Sequence, residues 1–232
     1  MWVKVCGIRN QSTATALAGL PEGDRPDAVG LNFFPGSRRC IDITMARSIL
    51  ASLDGRIEPV GLFVNAPLRQ VVSFQGDLNL PILQLHGDES PEYVAEVQQS
   101  CQGVRILRAM RVGEAGLGEL EDYLGRCHVL GVALDGCLVD ASVDGQFGGT
   151  GESPPWSLLA TDYRAVAWPP LLLAGGLRPD NVGRAIREVS PAGVDTASGV
   201  ENTDGDKDME AVVEFVRNAR AAASETEEKL DG

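Results

Sequence analysis

Eight apolar runs of strand length, each followed by a segment with helical spacing or a helix-start signal, alternate along the chain, and this alternation restricts its fold more than any other feature. The runs cover residues 3–6, 27–34, 58–65, 80–86, 104–112, 128–135, 170–177 and 193–201. Helical patterns or cap signals fall between them, over 11–20, 43–53, 68–74, 91–101, 117–124, 155–161, 181–189 and 207–222. Ser90 followed by Pro91 is the clearest start, an N-cap hydroxyl before a proline at the first helical position. A strand followed by a helix can rejoin its sheet only in parallel, so eight such units predict an α/β fold, a single-domain parallel (β/α)8 barrel over 1–222. An open doubly wound sheet fits less well, because no single glycine-rich turn dominates and polar residues end most of the strands. Residues 223–232 are polar and charged and read as a frayed, disordered tail.

Composition narrows the function. With 33 acidic residues against 20 basic ones and no run of Lys or Arg, the mean field repels nucleic acid and anionic lipid. An anionic ligand would therefore be held by placed cations and backbone N–H groups. The five cysteines (Cys6, Cys40, Cys101, Cys127, Cys137) form no CxxC pair and no zinc-type spacing with histidine, as expected of a reduced, cytoplasmic protein that binds no metal. No apolar run reaches the roughly 20 residues of a spanning helix, and no signal segment is recognisable.

In a parallel barrel the chemistry gathers at the carboxyl ends of the strands. The first strand places Lys4 and Cys6 on one face and Val3 and Val5 on the other. Cys6, at the strand end beside a cation, serves either as a small buried apolar group or as a proton-transfer group. Gln84 and His86 close the fourth run, Asp135 the sixth, and Asp195 lies in the eighth. Asp135 reads as a catalytic acid or as a loop carboxylate, and His86 as a hydrogen-bonded structural residue or a base. Gly175 and Gly176 after the seventh run, with Ala197, Ser198 and Gly199 after the eighth, match the late loops that cradle phosphate in such barrels. The glycine-rich loop 148–151 is a third wall of the site or a lid. Arg38 and Arg39 follow a Pro-Gly-Ser turn, as solvated surface or as a bidentate clasp for a carboxylate.

Seven ordered blocks carry a resemblance: KVCGI (4–8), GLNFFPGSRR (30–39), VGLFVN (60–65), QLHGDE (84–89), FGGTG (147–151), LAGGL (173–177) and GVDTASGVE (193–201). Together they resemble the phosphoribosylanthranilate isomerases of tryptophan biosynthesis over essentially the whole chain. The resemblance implies an Amadori rearrangement of N-(5-phosphoribosyl)anthranilate to 1-(2-carboxyphenylamino)-1-deoxyribulose 5-phosphate, without metal or organic cofactor. It implies Asp135 as the general acid, Cys6 as the general base and Arg39 as the group holding the substrate carboxylate. Phosphate would sit on Gly175, Gly176, Ala197, Ser198 and Gly199, with Lys4, Gln84, His86 and Asp195 lining the site. Lys4 is expected to draw the Cys6 thiol below its ordinary pKa of about 8.5.

The chain departs from the family's pattern at Gly136-Cys137, where a serine often follows the aspartate. The partner implied is a small anionic phosphosugar, with no nucleic acid or membrane, for a monomer or a homodimer. Two alternatives are a same-fold sugar-phosphate isomerase, for which a pair of aspartates is expected in place of Cys6, and a catalytically silent phosphate-binding barrel.

Overall fold

The computed structural model describes residues 1–112, 116–141, 156–164 and 166–230. Among the described residues eight strands alternate with eight helices: β1 (Trp2–Cys6), α1 (Gln11–Ala18), β2 (Ala28–Asn32), α2 (Ile43–Leu53), β3 (Glu58–Phe63), α3 (Leu68–Leu78), β4 (Ile82–Leu85) and α4 (Pro91–Ser100) form the first half. The second half is β5 (Arg105–Val112), α5 (Gly118–Val129), β6 (Gly136–Ala141), α6 (Trp156–Asp162), β7 (Leu171–Leu173), α7 (Val182–Val189), β8 (Gly193–Thr196) and α8 (Met209–Leu230), with one 3-10 turn at Ser198–Val200. Every neighbouring pair of strands is parallel, and β1 pairs with both β2 and β8, closing the expected barrel. Among the described residues no helix is long and apolar enough to cross a membrane.

Strand alternation divides the apolar residues into two cores. Val3 and Val5 on β1, Leu83 and Leu85 on β4, and Cys137 and Val139 on β6 face outward into the layer beneath the helices. Ala28, Val60, Ile82, Leu107, Leu138 and Leu172 point inward and plug the barrel, with Trp2 packed against them. The helices start where short polar side chains satisfy free N–H groups. Asn10, Asp42 and Ser90 accept from the backbone of Thr13, Met45 and Tyr93, and Pro91 occupies the first turn of α4.

Two expectations are corrected here. The run 128–135 is not the sixth strand. Helix α5 continues to Val129 because Leu120, Leu124 and Cys127 form one buried stripe, and Gly131, at φ +68°, follows the helix end. The strand begins only at Gly136, which leaves Asp135 before it, at the amino end of the barrel. There the Asp135 carboxylate accepts from the Ile106 amide at 2.8 Å and borders a cavity with Trp2, Arg105 and Ile82. The expected frayed tail also differs, since α8 runs on to Leu230 and Arg187 Nη1 reaches Glu225 at 3.3 Å. The FGGTG block (147–151) lies outside the described residues.

A buried arginine braces the loop that leaves β4. The Arg108 guanidinium donates to the carbonyls of Leu85 and Gly87, each at 2.9 Å, and to the Tyr123 hydroxyl at 2.9 Å, and lies 3.3 Å from Glu89. Glu89 in turn accepts from the amides of Asn65 and Gly87, both at 2.8 Å, tying the loops after β3 and β4 together below His86. Arg108→Ala leaves a buried carboxylate and several carbonyls unpaired and is expected to cost about 3–5 kcal/mol of stability. Chemical denaturation checks this, and a loss below 1 kcal/mol would show that the brace is dispensable.

Candidate active site

At the carboxyl end of the barrel lies a cavity of about 660 Å3, counted to its open mouth. It is bordered by Cys6 from β1, Arg39 from the loop after β2, His86 after β4 and Asp140 near the end of β6. The loops after β7 and β8 complete it with Gly175, Gly176 and Ala197 to Gly199.

Cys6 sits where β1 stops, its Sγ over Gly30 of β2. A Cβ at Gly30 would come within 2.6 Å of that sulfur, so the absent side chain makes room for the thiol. Directly below, Lys4 is fully buried, and its Nζ donates to Asp195 Oδ1 at 2.9 Å across the β1–β8 seam. Burial works against the Lys4 ammonium, but the Asp195 carboxylate and Cys6 outweigh it and hold its pKa above the ordinary lysine value. The expected effect of Lys4 on the thiol is present but does not win. Burial drives the Cys6 pKa up, Lys4 and Lys207 pull it down, Asp195 adds to the rise, and the net direction is upward.

Opposite the thiol a row of polar groups runs through the barrel. Gln84 Nε2 lies 2.8 Å from His86 Nδ1, within hydrogen-bond reach, which ties the ring to the barrel interior. The other ring nitrogen, Nε2, is 3.4 Å from Asp140 Oδ2. Asp140 shares the inward face of β6 with Leu138, whereas Asp135, at odd spacing from it, precedes the strand at the other end of the barrel. Asp140 was missed because the end of helix α5 at 128–129 reads as the start of a strand. The signal that separates the two aspartates is the helical stripe Leu120, Leu124, Cys127 followed by Gly131, which moves the start of the strand from residue 128 to Gly136.

Arg39 and Arg38 part company. Arg39 is 12% exposed in its side chain and borders the cavity, while Arg38 is 64% exposed and does not. The stem of Arg39 lies across Gly7, whose φ of +80° and missing Cβ leave room for it; a Cβ there would fall 2.4 Å from Arg39 Cδ. Its Nε and Nη2 donate to the two carboxylate oxygens of Glu201, at 2.6 and 2.9 Å. Glu201 also accepts from Arg38 at 2.6 Å and from Lys207 Nζ at 2.9 Å. Burial would raise the Glu201 carboxyl, but Arg39 and Lys207 overcome it and hold it at about 2. Neither Glu201 nor Lys207 was singled out by the sequence, since no local pattern ties them to residue 39.

The late loops meet closely. A Cβ on Gly199 would fall 1.9 Å from the Leu177 carbonyl oxygen, so only glycine lets the β8 loop lie against the β7 loop. Thr196 Oγ1 donates to that same carbonyl at 2.8 Å, and Asn181 Nδ2 to the Gly176 carbonyl at 2.9 Å. Of the residues expected to form the site, Cys6, His86, Arg39, Asp195, Gly175, Gly176, Ala197, Ser198 and Gly199 border the cavity. Lys4 and Gln84 lie beneath it, fully buried, and Asp135 is elsewhere.

Comparison with known proteins agrees with this arrangement. The family model described as N-(5'phosphoribosyl)anthranilate (PRA) isomerase matches residues 3–218. The N-(5'-phosphoribosyl)anthranilate isomerase of Gloeothece citriformis is 35% identical over 231 residues, 99% of each chain. That of Magnetococcus marinus is 41% identical over 220 residues, 95% of each. The crystal structure of phosphoribosyl anthranilate isomerase from Thermotoga maritima superposes with a TM-score of 0.80 at 31% identity, covering 95% of this chain and 99% of that one. A further phosphoribosyl anthranilate isomerase, in complex with reduced 1-(o-carboxyphenylamino)-1-deoxyribulose 5-phosphate, superposes at 0.77 with 29% identity and the same coverage. A closed parallel barrel with a thiol, a carboxylate, an arginine and two glycine loops at one mouth, matched across nearly its whole length, belongs to the N-(5'-phosphoribosyl)anthranilate isomerase family.

Proposed function

We propose that the protein converts N-(5-phosphoribosyl)anthranilate to 1-(2-carboxyphenylamino)-1-deoxyribulose 5-phosphate in tryptophan biosynthesis, by side-chain acid/base catalysis. The observation that carries this reading is the convergence of Cys6, Asp140 and Arg39 with the Gly175-Gly176 and Ala197–Gly199 loops on one cavity. The backbone N–H groups of those loops take the phosphate, and Arg39 takes the anthranilate carboxylate at the other end. The sugar then spans the space between Cys6 and Asp140.

Asp140 takes the place that the sequence reading gave to Asp135. It delivers a proton to the furanose ring oxygen as the C1–O bond breaks. The amine lone pair forms C1=N, and the ring oxygen leaves as a hydroxyl. The resulting iminium is an electron sink that acidifies the C2 proton. It also places a cation near the buried thiol, which favours the thiolate. Cys6 removes the C2 proton, the C–H electrons form C1=C2, and the iminium is quenched to an enolamine. Loss of the enol proton and protonation of C1 give the ketone, so the atoms balance without a redox partner. His86, its Nε2 3.4 Å from Asp140 Oδ2, packs beside that carboxyl and limits where it can lie.

Purified protein should accelerate the fluorescence decay of freshly prepared substrate, and a silent phosphate-binding barrel would not. Cys6→Ala and Asp140→Asn are each expected to lower kcat/KM by about 10²–10⁴. Asp135→Asn is expected to keep activity within about threefold while losing up to about 1 kcal/mol of stability. Activity lost in Asp135→Asn and kept in Asp140→Asn would reverse the assignment. Because the free-protein thiol is held above its ordinary pKa, kcat/KM should rise from pH 7 to pH 9 as the thiolate fraction grows. A profile flat over that interval would remove Cys6 as the titrating base.

A further inference from the structure

We propose that Glu201 is a positioning residue that fixes the guanidinium of Arg39 so that one of its two bidentate edges is spent on the protein and the other is presented to the substrate carboxylate. A guanidinium offers a side edge, Nε with Nη2, and an end edge, Nη1 with Nη2. Glu201 occupies the side edge with both oxygens, at 2.6 and 2.9 Å. Nη1 donates to none of the described residues, which leaves the end edge available to a ligand carboxylate. Gly7 supports the stem from below, so the arginine is constrained along its length as well as at its head.

Glu201 is itself immobilised. Its amide donates to the Ser198 carbonyl at 3.1 Å, it forms an antiparallel bridge with Lys207, and Lys207 Nζ donates both to its carboxylate and to the Ala197 carbonyl at 2.8 Å. The same short segment thus carries the phosphate-side loop at Ala197–Gly199 and the clamp on Arg39. The spacing between the two anion-binding ends of the cavity is set by this segment. Carboxylates on the substrate and on Glu201 do not compete, because they use different edges.

The inference rests on Arg39 as the carboxylate-binding group and is tested against it. Steady-state kinetics on N-(5-phosphoribosyl)anthranilate would compare wild type, Glu201→Gln, Arg39→Ala and the double variant, with inorganic phosphate as a competitive inhibitor. An amide carries no charge and replaces one of the two acceptor oxygens with an NH2 donor facing the guanidinium, so Glu201→Gln should raise KM about tenfold, the size of one charged hydrogen bond, with kcat changed less than about threefold. In the Arg39→Ala background the same change should add less than about twofold, since its effect runs through the missing group. The inhibition constant of phosphate should stay within about twofold. Wild-type kinetics in Glu201→Gln, multiplying effects in the double variant, or a parallel loss of phosphate affinity would each overturn the proposal. If Glu201→Gln does not fold, Glu201→Asp keeps the charge but withdraws it by one methylene, and it should show the KM rise with phosphate affinity intact; wild-type KM would overturn the proposal. An inactive wild type, by contrast, would defeat the proposed reaction and not the geometry.

Discussion

The ion pair between Lys4 and Asp195 is the point on which both the fold and the site depend. It joins the first strand to the last, in register, with Lys4 fully buried and Asp195 buried at the floor of the cavity. Each charge would be prohibitively expensive there alone, and removing one partner of such a pair costs about 3–5 kcal/mol. The barrel seam cannot form with a slipped register without stranding one of them. Because Cys6 lies two residues beyond Lys4 on the same face, the constraint that closes the barrel also fixes the thiol at its mouth.

Charge is distributed at two scales. The chain as a whole carries a formal charge of −13, yet its mouth gathers Arg39 and Lys207 on a single well-buried carboxylate, with Arg38 outside. An anionic ligand therefore gains nothing from the global field and is recognised only where placed cations and backbone dipoles converge. The burial that makes those contacts strong also raises the Cys6 thiol, and the neighbouring Lys4 only moderates the rise. A thiol held in this way is drawn toward the thiolate only when a cation develops beside it.

Space is controlled as tightly as charge. Gly30 leaves room for the Cys6 sulfur, Gly7 for the Arg39 stem, and Gly199 for the Leu177 carbonyl. In each case the atom that would collide belongs to another strand or loop of the mouth, so the absence of a side chain sets how closely the working elements approach.

Much of this was legible in the sequence, because it is encoded locally. Alternating apolar runs and helical stripes specify eight strand–helix units, and a period of two places Lys4 and Cys6 inward together. His86 and the two late glycine loops follow from their positions at strand ends, while Arg39 was picked from Arg38 only by the family resemblance. What the sequence could not determine depends on neighbours distant along the chain. Residues 128–135 are apolar enough to be a strand, and although the α5 stripe and Gly131 point the other way, it is the pairing of β6 with β5 from Gly136 onward that exchanges Asp135 for Asp140 at the mouth. The clamp of Glu201 on Arg39 spans 162 positions and exists only once the barrel has brought the β8 and β2 loops together. The direction of the Cys6 shift was likewise decided by tertiary structure. A neighbouring cation can be read from two letters of sequence, whereas the loss of water around both groups is a property of the closed barrel.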